Sequence, residues 1–392
     1  DNSTPGWGTT HFATIQDGID AVAGSTVHVA PGTYNEGLID IDKSLSIIGN
    51  RSDKPVFLPT ESTVHSNHRG WFQVTGASTV ANFKNLKFDG TGQNIENCIR
   101  YQEDSTGKVE NCDFSHIFWS AYVGFGIVYV DYTAMGGGSA LDLDPDGYVK
   151  KCTFTDIERV GVSVFGVDQV YLQGNTYTGK GDGDYLDYAI EVGGGGVATI
   201  EKKNTITDCR GVASTDDSTS AGILVTTYFG LGTSATIKGN TISGNTTGIA
   251  VGYGDADASV VDVRSNKILD SGSSGIDIDT RSPGNIVMKN EVRDSGDDGI
   301  YFKADSSTVE KNKVKGNGGD GIVVAGDSNT IEKNKAERND GDGIDVSGHS
   351  NIINKNKADR NVGWGIIVTT GTGNTGTKNK AKNNDLGDIS GL

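Results

Sequence analysis

Residues 307–329 read STVEKNKVKGNGGDGIVVAGDSN, and residues 329–351 read NTIEKNKAERNDGDGIDVSGHSN. The chain repeats itself. An Asn landmark recurs at Asn240, Asn266, Asn290, Asn312, Asn334, Asn356 and Asn379, at intervals of 26, 24, 22, 22, 22 and 23 residues. Self-similarity at this period is the signature of a solenoid, in which each unit stacks on the next. Within a unit three short strands can be read, as in GIVVAG, NTIEKN and KAER, with Gly, Asn and Asp between them. Alternation inside each strand sends one side chain inward and the next outward. No unit holds the ten or more residues of 3.6-residue periodicity that a helical solenoid needs. The expectation is an all-β fold, one domain over residues 1–392, wound as a parallel β-helix with three strands per coil. Stacking then buries a Val/Ile core that no coil buries alone.

The Asn landmark has a mechanism in this fold. At a tight bend Asn tolerates the left-handed conformation, and stacked amides can hydrogen-bond from coil to coil. The aspartates of GDDG, GGDG and GDG (Asp298, Asp320, Asp342) are read as turn residues, with a stacked Ca²⁺ row as the alternative.

Composition agrees. With 57 Gly and 6 Pro in 392 residues, the chain is too turn-rich for a helical protein, and its recurring apolar runs exclude disorder. A net charge of -17 argues against a nucleic-acid partner and permits cations. No run approaches the roughly 18 apolar residues of a membrane span, and no signal peptide is seen. A start at Asp1 without Met suggests a processed protein, secreted or at the cell surface. The four cysteines (Cys98, Cys112, Cys152, Cys209) form no C-x-x-C pair and are expected to be buried. Cys112 and Cys152 share a repeat position, so a bridge between them is geometrically open.

The N-terminal segment differs. HFATIQDGIDAVAG places Phe12, Ile15, Ile19 and Val22 on one helical stripe, which suits a helix covering the open end of the first coil. ATIQDGIDAV, VHVAPGTYNEG and KSLSIIGN resemble the opening coils of right-handed β-helix proteins of the pectate-lyase-like superfamily, and the later N-x-I and G-I-x-V units resemble its repeat. The resemblance covers nearly the whole chain and implies a right-handed winding and action on polysaccharides. Residues 32–37 (GTYNEG) also occur in pectin methylesterases, but the catalytic Asp motifs of those enzymes have no counterpart here. Neither does the arginine motif of pectate lyases or the paired-Asp motif of polygalacturonases. The opening coils are also similar to those of methanogen surface proteins, among them a disaggregatase that digests sheath polysaccharide.

Regularity fails in the middle. Residues 1–60 hold the cap and first coils and 241–392 the regular coils, but from 113 to 240 the landmark interval stretches to 40, 23, 29 and 36 residues. Insertions in a solenoid become loops on one flank. These are rich in aromatics, among which Trp119, Tyr132, Tyr185 and Tyr228 could stack on sugar rings. Aligning G-I-x-V-x across coils lists the outward side chains as Arg100, Asp142, Asp144, Ser163, Glu191, Leu224, Asp277 and Asp279. That register puts Asp142 two coils from Glu191, roughly 9 to 10 Å between backbones. Asp142, Asp144 and Glu191 are therefore the candidate catalytic carboxylates, because paired carboxyls in unlike surroundings divide acid and base roles. Asp184, Asp187, Asp216 and Asp217 crowd the same coils, and Arg100, His116, Arg159 and Arg210 could clamp a uronate or neutralise those acids.

Three functions fit. An endo-acting glycoside hydrolase on an extracellular polysaccharide comes first. A lyase acting on a uronate-containing glycan, with Ca²⁺ held by the acidic cluster, comes second. A glycan-binding surface protein without turnover is third. Nothing in the sequence selects an oligomeric state or demands a cofactor.

Overall fold

The structure, a computed structural model, describes residues 8, 11–120, 123–131, 133, 146–166, 169–230 and 232–392. The backbone winds through three parallel sheets of 14 strands each. One coil runs through Thr308–Glu310 in the first sheet, Lys313–Lys315 in the second and Ile322–Val324 in the third. Each pairs with its copy one repeat later, as Thr308 with Thr330, Lys313 with Lys335 and Ile322 with Ile344. Burial alternates along the strands, so Val309, Val314, Ile322 and Val324 point inward. Stacking turns these positions into one continuous core. In earlier coils the same columns carry rings, with Phe88, Phe114 and Phe154 stacked at 5.0 and 4.9 Å.

Asparagines line all three corners. Asn334 Oδ1 accepts from the backbone N–H of Asn312 at 3.0 Å and from its Nδ2 at 3.1 Å, while Asn312 Nδ2 also donates to the Val287 carbonyl at 2.8 Å. Parallel ladders run through Asn317, Asn339 and Asn361 and through Asn329 and Asn351. The sequence exposed one ladder, and the fold has three. Contrary to expectation, the left-handed residue at the landmark corner is the one before the Asn: Ser265, Lys289, Lys311, Lys333, Lys355 and Lys378 all have positive φ. This places the Asn side chain inside the bend, where its amide is buried. The aspartates of the GDG motifs form a fourth, shorter ladder. Asp298 Oδ1 accepts the Asp320 N–H at 2.8 Å and Asp320 Oδ1 accepts the Asp342 N–H at 2.5 Å, as a turn role requires.

The N-terminal helix, α1 (Ile15–Ala21), is shorter than the apolar stripe suggested. Thr14 caps it by accepting the Asp17 N–H, and Ile15 and Ile19 turn toward the core. The four cysteines are buried free thiols, so the bridge that stacking would permit between Cys112 and Cys152 is not made. No helix among the described residues is long and apolar enough to cross a membrane.

Strand length singles out one flank. In the third sheet the strands Asn97–Gln102, Phe125–Val130, Val160–Phe165, Tyr188–Gly193 and Thr247–Gly252 have six residues, against three in Ile322–Val324 and Ile344–Val346. The longer strands make a wider outer face, which the described loop residues at 213–219 and 226–229 border.

Candidate functional site

The outer face of the third sheet carries one continuous column of side chains. In register it runs Gln73, Arg100, Val128, Ser163, Glu191, Leu224, Ala250, Asp277 and Tyr301. A cavity of about 540 Å³ opens over the stretch from Glu191 to Asp277. These two residues are three coils apart, roughly 14 Å between backbones at about 4.8 Å per strand.

Each wall has a local cause. On the side where the chain enters strand Ala221–Val225, Val212 and Thr219 form an antiparallel bridge that closes a tight loop, with Asp217 in the left-handed conformation at its tip. Asp184 anchors that loop, accepting the Ser214 N–H at 2.8 Å and its hydroxyl at 2.7 Å. The loop thereby presents Asp216 and Thr215 to the cavity. On the side where the chain leaves the strand, Asp257 accepts the Thr227 N–H at 2.8 Å and the Thr226 hydroxyl at 3.2 Å. That pins the turn carrying Tyr228 and Phe229. Phe229 packs against Phe165, and Tyr228, 69% exposed, meets Tyr253 edge-on at 5.6 Å.

The carboxyls of the cavity have unlike surroundings. Glu191 is 3% exposed and its carboxyl accepts no hydrogen bond among the described residues. Burial pushes its pKa up, against a smaller pull from the Arg159 guanidinium. Asp216 is held below the usual carboxylate range by the N–H and hydroxyl of Ser218, with Arg159 helping. Arg159 thus acts on both acids. At the far end, burial pushes Asp277 up to about 7, with Asp279, Asp298 and Asp297 adding repulsion and Lys303 opposing it. Lys303 itself is paired with Asp279 at 2.8 Å and Asp255 at 2.9 Å.

Of the residues the sequence singled out, Glu191, Arg159, Asp216 and Tyr228 line the cavity together. Asp142, Asp144 and Tyr132 lie outside the described residues. The column position assigned to Asp142, two coils before Glu191, is filled by Val128, because strand Phe125–Val130 enters the sheet there. The remaining residues do not line the cavity. Arg100 lies in the same column, three coils from Glu191, and is buried and bonded to Gln102. His116 sits on Asp89 at 2.8 Å, and Arg210 pairs with Asp208 and Asp182. Trp119 stacks on His65, and Lys180 lies over the Tyr185 ring. Asp187 is buried under the loop and bound by the Tyr177 hydroxyl at 2.5 Å and the Lys180 N–H at 2.9 Å. Asp277 and Tyr253 line the cavity although no site role was expected of them. For Asp277 the outward register was already the signal. Among the described residues no three His, Cys, Asp or Glu ligand atoms converge in the cavity; the two such groups lie elsewhere.

A family model described as "Right handed beta helix region" matches residues 186–329 and 221–386, which together span just over half of the 392 residues. No curated protein matches the chain by sequence. Among solved structures, the chain is similar to the A-module of the mannuronan C-5 epimerase AlgE4 of Azotobacter vinelandii, at 14% identity over 96% of this chain and 95% of that one, with a TM-score of 0.45. It is also similar to the periplasmic alginate epimerase AlgG, at 14% identity over 89% and 77% with a TM-score of 0.43. A third similarity is to the surface protein and adhesin PfbA of Streptococcus pneumoniae, at 12% identity over 96% and 95% with a TM-score of 0.45.

Proposed function

The chain belongs to the right-handed β-helix family, and on that scaffold we propose that the cleft of the third sheet binds an extracellular polysaccharide and cleaves it as an endo-acting glycoside hydrolase. One observation carries the reading: a buried Glu191 carboxyl, with no hydrogen-bond partner among the described residues, opens into the same cavity as an Asp216 carboxyl that its surroundings keep ionised. Paired acids pushed apart in this way are what acid and base roles require. Glu191, protonated, donates to the glycosidic oxygen as the bond breaks. Asp216 acts on the opposite face of the sugar, on water or on the anomeric carbon. Asp142 and Asp144 are the alternative partners for Glu191.

The rest of the cleft fits a glycan. Tyr228 and Tyr253 offer ring faces beside a floor whose Leu224 and Ala250 suit sugar C–H surfaces. Arg159 favours a second reading, a lyase acting on a uronate glycan, since a guanidinium at the floor can bind a sugar carboxylate. In that case Ca²⁺ would be the added cation.

The test is incubation with a panel of neutral and uronate-containing polysaccharides, with and without EDTA. Hydrolysis gives new reducing ends without ultraviolet absorption and is indifferent to EDTA. An absorbing unsaturated uronate replaces this reading with the lyase. Binding without turnover of any glycan in the panel replaces both with an adhesive surface protein.

A further inference from the structure

We propose that His65, His68 and Glu96 form a binding site for one divalent transition-metal cation, zinc by preference, on the flank of the β-helix and outside the cleft. One ligand atom from each residue lies within 4.8 Å of the other two. His65 opens a single turn of 3₁₀ helix, His65–Asn67, and His68 caps its C-terminus, its N–H bonded to the His65 carbonyl, so the turn brings the two rings together at 5.3 Å between centroids. Both rings face the same carboxylate, that of Glu96. Their Nδ1 atoms meet the two oxygens of the same carboxylate, at 2.9 Å for His65 and 2.7 Å for His68.

The surroundings hold these groups in place. Glu96 is 2% exposed and sits just before strand Asn97–Gln102, its N–H bonded to the Thr63 hydroxyl at 2.8 Å. His68 adopts the left-handed conformation, at a cost of about 1 kcal/mol for a residue with a Cβ, and its carbonyl is fixed by the Asn97 amide at 2.9 Å. The Trp119 indole lies over the His65 ring at 5.9 Å and 24°. Two imidazoles and one carboxylate are donors that zinc accepts, and they leave a coordination position open. A tetrahedral ion with bonds of about 2.1 Å needs ligand atoms roughly 3.4 Å apart, so small rotations of the two rings admit it. The rings can make them, because the side chains of His65 and His68 are 51% and 35% exposed. The site is independent of the hydrolase reading, since strand Asn97–Gln102 lies three coils from the Glu191 strand.

The experiment strips the intact chain with a chelator and titrates it with Zn²⁺ and with Co²⁺. The expected result is one equivalent bound per chain, a visible Co²⁺ absorption band and a raised melting temperature. His65→Ala removes a half-exposed ligand without disturbing the core and should weaken binding by roughly 100-fold. Glu96→Gln tests the carboxylate, with His65→Ala as the safeguard if that buried change perturbs folding. Asp320→Asn, in the aspartate ladder of the GDG corners, should leave affinity and stoichiometry unchanged. Failure to bind either ion, or binding that survives His65→Ala undiminished, overturns the proposal and leaves two histidines donating hydrogen bonds to a buried carboxylate.

Discussion

Glu191 combines a polar head with an apolar setting, and both its chemistry and its pH response follow. As a general acid it must carry its proton, so activity should fall as pH rises through its raised pKa. Glu191→Gln keeps the shape and removes the proton, and should lower turnover by about 10²- to 10⁴-fold with the melting temperature unchanged or higher. Asp277 gives a stability test. Its folded pKa of about 7 lies above the unfolded value, so the folded state holds a proton that the unfolded chain releases. The stability tied to that proton is complete below about pH 4 and is lost as pH rises to about 7. Asp277→Asn should therefore raise unfolding stability by about 2 to 4 kcal/mol near pH 8 and barely change it near pH 4, as read by urea titration at each pH.

At the scale of the element, the corners matter as much as the strands. The Asn334 side chain takes two hydrogen bonds from Asn312 on its Oδ1 and through Nδ2 gives one each to the Val309 carbonyl and to Asn356 Oδ1. Asn334→Ala orphans buried partners on both sides and should cost about 2 to 4 kcal/mol in denaturant unfolding. In the regular coils the Gly before the third-sheet strand (Gly275, Gly299, Gly321, Gly343) is set by close approach. A Cβ on Gly321 would lie 2.5 Å from the Gly343 carbonyl oxygen and 2.6 Å from Asn339 Nδ2. Gly321→Ala should therefore destabilise by about 1 to 3 kcal/mol in the same assay, though it adds only a methyl group. What the sequence revealed follows the same division. Strand alternation placed Glu191, Leu224 and Asp277 outward, and hydrogen-bond register bears this out. It failed at Asp142 because ALDLD copies the strand pattern while FGIVYV, nearby, takes the place in the sheet. Loops carry no such period. Nothing in the spacing of Asp184, Trp119 or His116 shows that one anchors a wall and the others pack against neighbours outside the cleft.

For the molecule as a whole, charge and stacking set the behaviour. A polyuronate must approach a chain of net charge -17, so its association should quicken as added salt screens the repulsion, whereas a neutral glycan should show no such trend. Binding rates across ionic strength thus separate the two substrate classes. The last strands, Thr375–Thr377, Lys380–Lys382 and Gly387–Ser390, bury little of their surface. Their amides should exchange with deuterium first, ahead of the strands over the aromatic stack. The asparagine ladders add a sense of direction: each amide oxygen serves the coil before it, and each coil meets the next with the same donors and acceptors. An extra 22-residue copy spliced in beside residues 307–328 would find every such group already matched. Lengthening the fibre by gene duplication would then leave the cleft untouched, which lets reach and chemistry vary separately.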